Sequence, residues 1–494
     1  MLLKRIKNQL THPSQIQAHI VFLSLFLLTF LIRFPFFFRD YIDRDESTFI
    51  LLGQSWVDGF LPYTQLWDLK PPLTFAFFAI LISIFGKSFI AIRMAGVVLV
   101  GITAFFTYKT GTLITTKKTS FYTAVACVIL LSLFGSLQGV MSEHICMAFF
   151  MPSIYLLSTK PTAFRFFIAG VLMGITVMIK LNMAFPILFV GLYLSFISFK
   201  KGTSVKVLYV LLFGIGVLMV ISATMLPYYQ TDQFQIWWDS VISAPLEYTE
   251  VRRYPFAKLA PFFILVGSFL VYAWKKKKLD FNNTIIQLVT VTVIGVLFSF
   301  FKGGRINGHY LIQLHPLLLL LVSVVLSETS FTRSWNIPKY AAFILLLIPA
   351  ESYLEYVNIV KNKIVYGTFF NGEGISIPTY IRAHKLDTKN ILFFEYHIAY
   401  WRLNTLPPTT ASTHPSTLCR DELYPFFHNP RKTSLKELAY IMNTLQPKTV
   451  VIRKGKRIFD KKEIEENEYM DAYLEAHYTL LATVENGQIL QRLE

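Results

Sequence analysis

Two adjacent acids and a lysine followed by two prolines share one polar segment near the start of the chain. Asp45 and Glu46 open the helix-like run "FILLGQSWV" (49–57), and Lys70 begins "KPPL". A carboxylate can act as a general base, and a fixed cation can stabilise a negative charge. Since proline restricts the backbone and suits a helix start, the double proline aims Lys70 rigidly. This segment is a candidate chemical site.

The composition places these residues in a membrane protein. Of the 494 residues, 54% are hydrophobic and 16% are aromatic. The net charge of +17 lies almost entirely before Asn362. In a membrane protein, such an excess of basic residues is better explained by the orientation of cytoplasmic loops and by contact with anionic lipid than by binding of nucleic acid. No nucleic-acid-binding motif accompanies it. We therefore expect membrane lipids, and no nucleic acid, as partners.

Apolar stretches of spanning length recur along the chain, since about 20 helical residues cross the hydrocarbon layer. The first follows the basic leader "MLLKRIKNQ" and is too long, with no cleavage site, for a signal peptide. We expect it to be a retained span with the N-terminus inside. About eleven spans are predicted in all, at 20–38, 88–108, 120–138, 145–159, 164–180, 182–199, 205–226, 258–274, 284–301, 309–326 and 338–353.

The apolar segment 72–86 is short for a crossing, and the basic residues decide how it lies. If it does not cross, the four most basic connections are all cytoplasmic, as the positive-inside rule requires. These connections are 115–120, 158–165, 199–206 and 275–278. If it does cross, all four lie outside. We therefore expect this helix to lie against the membrane from outside, within a large first external loop at 39–87.

The charged residues of this loop also have structural interpretations. Asp45 or Ser47 can cap the following helix, and Ser47 is the stronger candidate. Adjacent carboxylates beside a membrane cost more solvation than one cap requires. A lone interfacial lysine is usually a snorkelling anchor, but Lys70 shares its loop with the acids. We therefore interpret these charged residues as parts of one site.

The chain changes character near residue 362, where long apolar runs end. Strand-like pieces beside helix-like ones occur at 390–396, 448–454, 376–386 and 434–445. The irregular segment "NTLPPTTASTHPS" (404–416) lies between the strands. The pattern predicts a small external α/β domain at 362–494 after a transmembrane domain at 1–361. We expect a multi-pass protein of the inner (plasma) membrane with this C-terminal domain on the periplasmic or external side.

Several chemistries have no support in the sequence. Cys127, Cys146 and Cys419 form neither a disulfide framework nor a Cys-type zinc site. There is no Walker loop, G-x-G-x-x-G or H-E-x-x-H motif, so neither ATP, a dinucleotide nor a zinc protease is indicated.

Three motifs stand at the outer ends of predicted spans. They are "DESTF" (45–49) with "GFLPYTQLWDLKPPL" (59–73), then "FGKSFIAIR" (85–93) and "GGRINGHYLIQLHP" (303–316). Together they resemble the polyprenyl-phosphate-sugar-dependent glycosyltransferases of the multi-spanning (GT-C) class. The resemblance is closest to bacterial family 39 members related to protein O-mannosyltransferases and lipid A aminoarabinose transferases, and it covers about residues 20–325.

The resemblance implies a hexosyl- or pentosyltransferase that works at the outer face of the membrane, with inversion. Its donor would be a polyprenyl-phosphate-linked sugar, and its acceptor a protein, lipid or glycan. The resemblance also implies that Asp45 is at the catalytic centre, with Glu46 beside it, and that Lys70 neighbours the donor phosphate. Related enzymes often carry an acid at the position of Glu143, commonly Asp before Pro. Here Glu143 precedes His144, which leaves its catalytic role open.

Further cations at outer span ends suit a departing phosphate, whose negative charge must be stabilised. We predict that Lys180, Arg305, His309 and the adjacent Tyr310 bind the donor phosphate together with Lys70. Arg305 can grip phosphate oxygens in a bidentate manner. Snorkelling explains Lys180 equally well, and His309 can be an ordinary interfacial histidine. The glycines of "GGRINGHY" can form a plain tight turn, but the resemblance favours a role of this segment in donor binding.

The chemistry requires no cofactor. Asp45, Glu46, Glu143 and His144 are compatible with a divalent metal, but carboxylates and one histidine without fixed spacing are weak evidence for one. We therefore predict no metal ligands.

Two other functions fit a chain with many spans. A lipid or glycan transporter, or flippase, generally has ionisable groups near the bilayer midplane and repeated halves. Here the spans are nearly free of charge, and no internal repeat is visible. A catalytically inactive scaffold with a partner-binding tail is the other alternative. Asp45, Lys70 and Arg305 argue against it.

Overall fold

The computed structural model describes residues 17–40, 42–133, 135–200, 204–251, 253–328 and 349–493. Most of these residues are helical. The α-helices are α1 (Ala18–Arg33), α2 (Arg44–Val57), α3 (Pro72–Phe85), α4 (Phe89–Gly111), α5 (Lys117–Leu130), α6 (Ser142–Leu157), α7 (Ala163–Ile179), α8 (Ala184–Ser198), α9 (Val207–Gln230), α10 (Phe234–Trp238), α11 (Ala244–Val251), α12 (Phe256–Lys275), α13 (Thr284–Gly303), α14 (His315–Ser327), α15 (Ala350–Tyr366), α16 (Glu373–Ala383), α17 (Ile398–Leu403), α18 (Ser434–Ala439) and α19 (Ile464–His477).

Six helices among the described residues are long and apolar enough to cross a membrane, judged by length and composition. They are Ala18–Phe38, Phe89–Gly111, Leu181–Ser198, Val207–Gln230, Phe256–Lys275 and Thr284–Gly303. In α9 and α12 the most apolar stretch is only 22% and 17% buried within the protein, so their apolar side chains require lipid. The chain is a polytopic α-helical membrane protein.

The predicted number of eleven spans stays a prediction. Two of the remaining predicted spans coincide with apolar helices too short for the length criterion, α7 and α14. The last predicted span, 338–353, lies mostly outside the described residues, as does the basic leader.

The chain forms two compact units. The first unit consists of Met1–Phe34, Arg93–Leu226 and Arg252–Leu354. The second unit consists of Pro35–Ile92, Pro227–Val251 and Glu355–Glu494, so it contains both the first loop and the tail. The predicted division into a transmembrane domain at 1–361 and an external α/β domain at 362–494 stays a prediction.

Glycines allow helices of the first unit to approach each other closely. A Cβ atom on Gly170 of α7 would lie 2.1 Å from the carbonyl oxygen of Phe213 in α9. From the other side, a Cβ on Gly216 of α9 would lie 2.5 Å from the carbonyl oxygen of Phe167. Small residues let helix backbones approach in this way inside membranes. Helix α7 also packs along α6, where the Ser153 hydroxyl donates to the Ala169 carbonyl at 2.9 Å.

In the second unit, α2 and α3 pack with their N-termini at the same end. Phe49 in the first turns of α2 packs against Phe75 and Phe78 of α3, with ring centroids 6.2 and 6.0 Å apart. One turn further along, Gly53 meets α3 so closely that a Cβ would lie 2.7 Å from the Phe78 Cβ. This contact keeps the two helix starts side by side.

The tail of the second unit contains a four-stranded sheet of order β1-β2-β4-β3. The strands are β1 (Leu392–Phe393), β2 (Thr449–Arg453), β3 (Tyr478–Val484) and β4 (Gly487–Arg492). β1 is parallel to β2, and the other neighbours are antiparallel. β1 and β2 lie within the two segments predicted as strands, and α16 and α18 overlap the two predicted helices. The segment 404–416 contains 3-10 turns at Thr410–Thr413 and from Pro415.

Candidate functional site

Asp45 lies in the first turn of α2, and its side chain does not cap the helix. The N-cap is Asp43, whose Oδ1 accepts a hydrogen bond from the Asp45 backbone N–H at 2.8 Å. The Ser47 hydroxyl donates to the Asp43 carbonyl at 3.0 Å. A cap at Asp45 or Ser47, as the sequence suggested, is therefore wrong, because Asp43 precedes the first turn and reaches its amide. The Asp45 carboxylate is thus not used for capping.

The backbone of Lys70 is held immediately before α3. Its N–H donates to Asp68 Oδ1 at 3.0 Å, and its carbonyl accepts from the Tyr63 hydroxyl at 2.6 Å. Pro71 is the N-cap of α3 in an extended conformation, and the next proline occupies the first helical turn. The double proline and these two hydrogen bonds fix the point from which the side chain extends.

Lys70 and Asp45 form an ion pair at the common end of α2 and α3. Lys70 Nζ is 3.4 Å from Asp45 Oδ2. The side chains are 22% and 30% exposed, so a substrate can reach both. Glu46 is only 1% exposed and does not present its carboxylate to solvent in this way.

Three residues of the tail lie against the start of α2, and the sequence analysis missed them. Glu395 accepts hydrogen bonds from Arg44 Nε and Nη2, each at 3.1 Å. His397 is buried, with Nε2 3.1 Å from the Arg44 carbonyl. His414 Nε2 is 3.5 Å from Asp45 Oδ1. No spacing relative to "DESTF" marks these residues in the sequence, because more than three hundred residues separate them from the acids.

The loop that carries His414 is attached to the segment preceding Lys70. The Trp67 backbone N–H donates to the Thr413 hydroxyl at 3.2 Å, and the Thr410 hydroxyl donates to the Gln65 carbonyl at 3.4 Å. The buried Trp67 ring also packs edge-on against Phe427 at 4.8 Å. These contacts fix the loop relative to Lys70.

The first unit gathers three of the other predicted site residues around Glu143. This carboxylate is fully buried in the first turn of α6, where the helix dipole favours a negative charge. Lys180 Nζ forms an ion pair with Glu143 Oε1, and His309 Nε2 lies 3.8 Å from the same oxygen. The Lys180 ammonium is 4.5 Å from the centre of the Tyr310 ring.

Lys180 does not have the geometry of a snorkelling lysine. Its side chain is 7% exposed and is directed at a buried carboxylate, whereas a snorkelling lysine extends its ammonium to water. The Ser142 hydroxyl donates to the other Glu143 oxygen, Oε2, at 3.1 Å. Both oxygens of this buried carboxylate therefore have partners, as a buried charge requires.

Buried Arg33 positions the helix start that carries Glu143. It ends α1 and donates to the carbonyls of Leu137 and Gly139 at 2.6 Å each. A third hydrogen bond, to the Gln138 carbonyl, is 3.1 Å long. These bonds fix the turn immediately before α6.

Arg305 lies over an aromatic ring. Its guanidinium carbon is 5.1 Å from the centre of the Tyr254 ring. The preceding Gly304 has φ of 62° and caps the C-terminus of α13. A Cβ there would lie 2.8 Å from Arg253 Cγ, so the turn requires a glycine at this position.

No group of three or more His, Cys, Asp and Glu side chains suited to a metal ion occurs in the parts of the chain that the structure describes.

Comparison with known proteins identifies the fold. Residues 69–228 match the family model of dolichyl-phosphate-mannose-protein mannosyltransferases, and the match begins one residue before Lys70. No curated protein matches the chain by sequence. ArnT from Cupriavidus metallidurans, solved in the apo state, superposes with a TM-score of 0.60 at 12% identity, over 96% of this chain and 97% of ArnT. The chain has the fold of ArnT.

The same ArnT bound to undecaprenyl phosphate gives a TM-score of 0.58 at 13% identity, over 96% of this chain and 98% of that one. The ArnT fold and the mannosyltransferase model confirm the resemblance to multi-spanning glycosyltransferases that the sequence motifs predict. The roles of individual residues stay predictions.

Proposed function

We propose that this protein transfers a sugar from a polyprenyl-phosphate carrier to a protein, lipid or glycan acceptor at the outer face of the membrane. The observation that carries the proposal is the reachable pair of Asp45 and Lys70 at the common end of α2 and α3. The pair places a base beside a cation. The ArnT fold supports the proposal, since ArnT has been solved with undecaprenyl phosphate.

The surroundings of Lys70 suit the phosphate of such a donor. The N-termini of α2 and α3 lie side by side, and the N-terminus of a helix carries a partial positive charge that favours anions. A lysine ammonium has three N–H donors, so it can contact a phosphate oxygen as well as Asp45. In the proposed reaction these groups stabilise the negative charge of the departing polyprenyl phosphate.

Asp45 then acts as the general base. The acceptor oxygen or nitrogen attacks the anomeric carbon of the sugar while the bond from that carbon to the phosphate oxygen breaks. The proton of the acceptor passes to Asp45, and polyprenyl phosphate leaves with the bonding electrons. A single displacement of this kind inverts the anomeric centre. Glu46 and Glu143 stay the alternative acids, and no metal enters the proposed steps.

The direct test is transfer by the purified full-length protein. It would be incubated with a panel of polyprenyl-phosphate sugars and candidate acceptors, and the products analysed by mass spectrometry. We expect an acceptor heavier by one sugar residue, together with free polyprenyl phosphate. Movement of labelled donor across vesicle membranes, without any transfer, would instead support the transporter alternative.

A first prediction concerns the cation. Replacing Lys70 by Met is expected to weaken donor binding by about 10- to 100-fold, since a hydrogen bond to a charged group contributes about 1.5–3 kcal/mol. Binding of an unhydrolysable donor analogue to the purified variant measures this. Lys461→Met, at an exposed lysine of the same unit, is the matched control and should bind like the parent. An unchanged donor affinity in Lys70→Met would show that Lys70 does not contact the phosphate. Arg305→Met tests the predicted phosphate contact of Arg305 in the same way.

A second prediction concerns the sides of the membrane. Because the four basic connections must share the cytoplasmic side, we expect a reporter fused at Lys276 to be active inside and one fused at Gly487 to be active outside. Each site is fused to two reporters, one active only in the cytoplasm and one active only in the periplasm, and the active reporter shows on which side of the membrane the site lies. External activity at Lys276, or internal activity at Gly487, would contradict this orientation and place Asp45 on the wrong side for an external donor.

A further inference from the structure

His414 presents a buried N–H to the candidate base from the far end of the chain. Its side chain is 7% exposed, and Nε2 lies 3.5 Å from Asp45 Oδ1. Among the described residues, Nε2 makes no hydrogen bond in this structure. Hydrogen bonds of catalytic groups are often long before substrate binds and tighten in the complex.

The tautomer of His414 follows from its other ring nitrogen. The Ser416 backbone N–H donates to His414 Nδ1 at 3.1 Å. Because a backbone N–H can only donate, Nδ1 carries no proton in this arrangement. The proton of the neutral ring is therefore on Nε2, the nitrogen that faces Asp45.

A second histidine supports the ring of His414. His397 packs edge-on against it, with centroids 5.7 Å apart. Burial, the neighbouring His414 and Arg44 hold the pKa of His397 well below its usual range, so His397 is neutral. Its Nε2 lies 3.1 Å from the Arg44 carbonyl, which can only accept, so this nitrogen donates. His397 thus ties His414 to the helix start that carries Asp45.

We propose that His414 is a positioning residue that holds the Asp45 carboxylate toward the acceptor by donating its Nε2–H to Oδ1. Lys70 lies near the other oxygen, Oδ2. With a donor beside each oxygen, the carboxylate has a fixed orientation, and a carboxylate offers about four lone-pair sites, so it can still receive the acceptor proton. The tail is then part of the catalytic arrangement. This inference rests on the proposed function of Asp45.

Two substitutions separate this role from a capping role. His414 also caps a 3-10 turn through Nδ1. His414→Asn keeps a cap acceptor near Nδ1 but has no atom in the place of Nε2. His414→Gln puts an amide N–H near the place of Nε2 and loses the cap geometry. A positioning role and a capping role therefore predict opposite results for the two variants.

We expect His414→Asn to lower kcat by about 10- to 100-fold with little change in the KM for donor, because a small misplacement of a reacting group has effects of this size. His414→Gln should retain most of the turnover, even if it unfolds at a lower temperature. His428→Asn is the control, since His428 contacts Asp239 at 3.3 Å and should transfer like the parent. Parent-like turnover in His414→Asn, or an equal loss in His414→Gln, would overturn the inference.

A second measurement does not depend on transfer. In full-length protein labelled with ¹⁵N-histidine, NMR should show His414 unprotonated at Nδ1 and protonated at Nε2, and the Nε2 signal should shift in Asp45→Asn. A proton on Nδ1, or an unchanged Nε2 signal, would overturn the inference. If the parent transfers no sugar from any donor of the panel, the proposed function fails, and the NMR result still decides whether His414 donates to Asp45.

Discussion

Replacing Asp45 by Asn is expected to slow sugar transfer by about 10²–10⁴-fold, the usual contribution of a general base. Asn has nearly the shape of Asp but cannot take up the acceptor proton. Donor binding should not weaken, because the change removes a negative charge that lies 3.4 Å from the Lys70 ammonium. The helix should also stay intact, since Asp43 and not Asp45 provides the cap.

Turnover at saturating donor and acceptor, together with the affinity for a donor analogue, measures this prediction. Asp58→Asn makes the same chemical change at the exposed C-terminal end of the same helix and should leave both quantities unchanged. Turnover close to the parent's in Asp45→Asn would transfer the role of base to Glu46 or Glu143, or dismiss a catalytic role for "DESTF". Of these two acids, Glu46 is almost completely buried.

The sequence predicted the local parts of the candidate site and missed the long-range ones. Asp45 and Lys70 stand out because a polar segment between apolar ones, a helix start and a double proline are all local signals. Their pairing follows from the packing of α2 on α3, which depends on a close contact at Gly53. His414 has no local signal, because its irregular loop gives no periodicity and its partner lies at the other end of the chain.

The same distinction applies to the other predicted residues. Glu143 and Lys180 were each recognised as charges at outer span ends, but neither residue indicates that the other is its partner. In the structure the two residues form one ion pair, in which Glu143 lies at the start of α6 and Lys180 at the end of α7. From the sequence, Glu143 was predicted to take part in catalysis and Lys180 to bind phosphate. The ion pair adds a second hypothesis, in which the two residues stabilise the fold.

Replacing Lys180 by Met is expected to destabilise the protein by about 3–5 kcal/mol, because it leaves the buried Glu143 carboxylate without its cation. Denaturant titration in detergent, followed by the loss of helical signal, measures the free energy of unfolding. Lys258→Met is the matched control. That lysine also lies over a tyrosine, 5.3 Å from the Tyr254 ring, but it is exposed, so its loss should cost no more than about 1 kcal/mol. A cost as small in Lys180→Met would mean that Glu143 is not charged in the folded protein.

The double variant Glu143→Gln with Lys180→Met then separates stability from function. Because it removes both charges, it should recover most of the stability lost in Lys180→Met alone. If the pair only stabilises the fold, the double variant should also transfer sugar at the parent's rate, and the predicted roles of both residues would be wrong. If Lys180 binds the donor phosphate or Glu143 assists the chemistry, the double variant should be folded and yet defective. A loss confined to donor affinity would assign the function to Lys180, whereas a loss of turnover at saturating donor would assign it to Glu143.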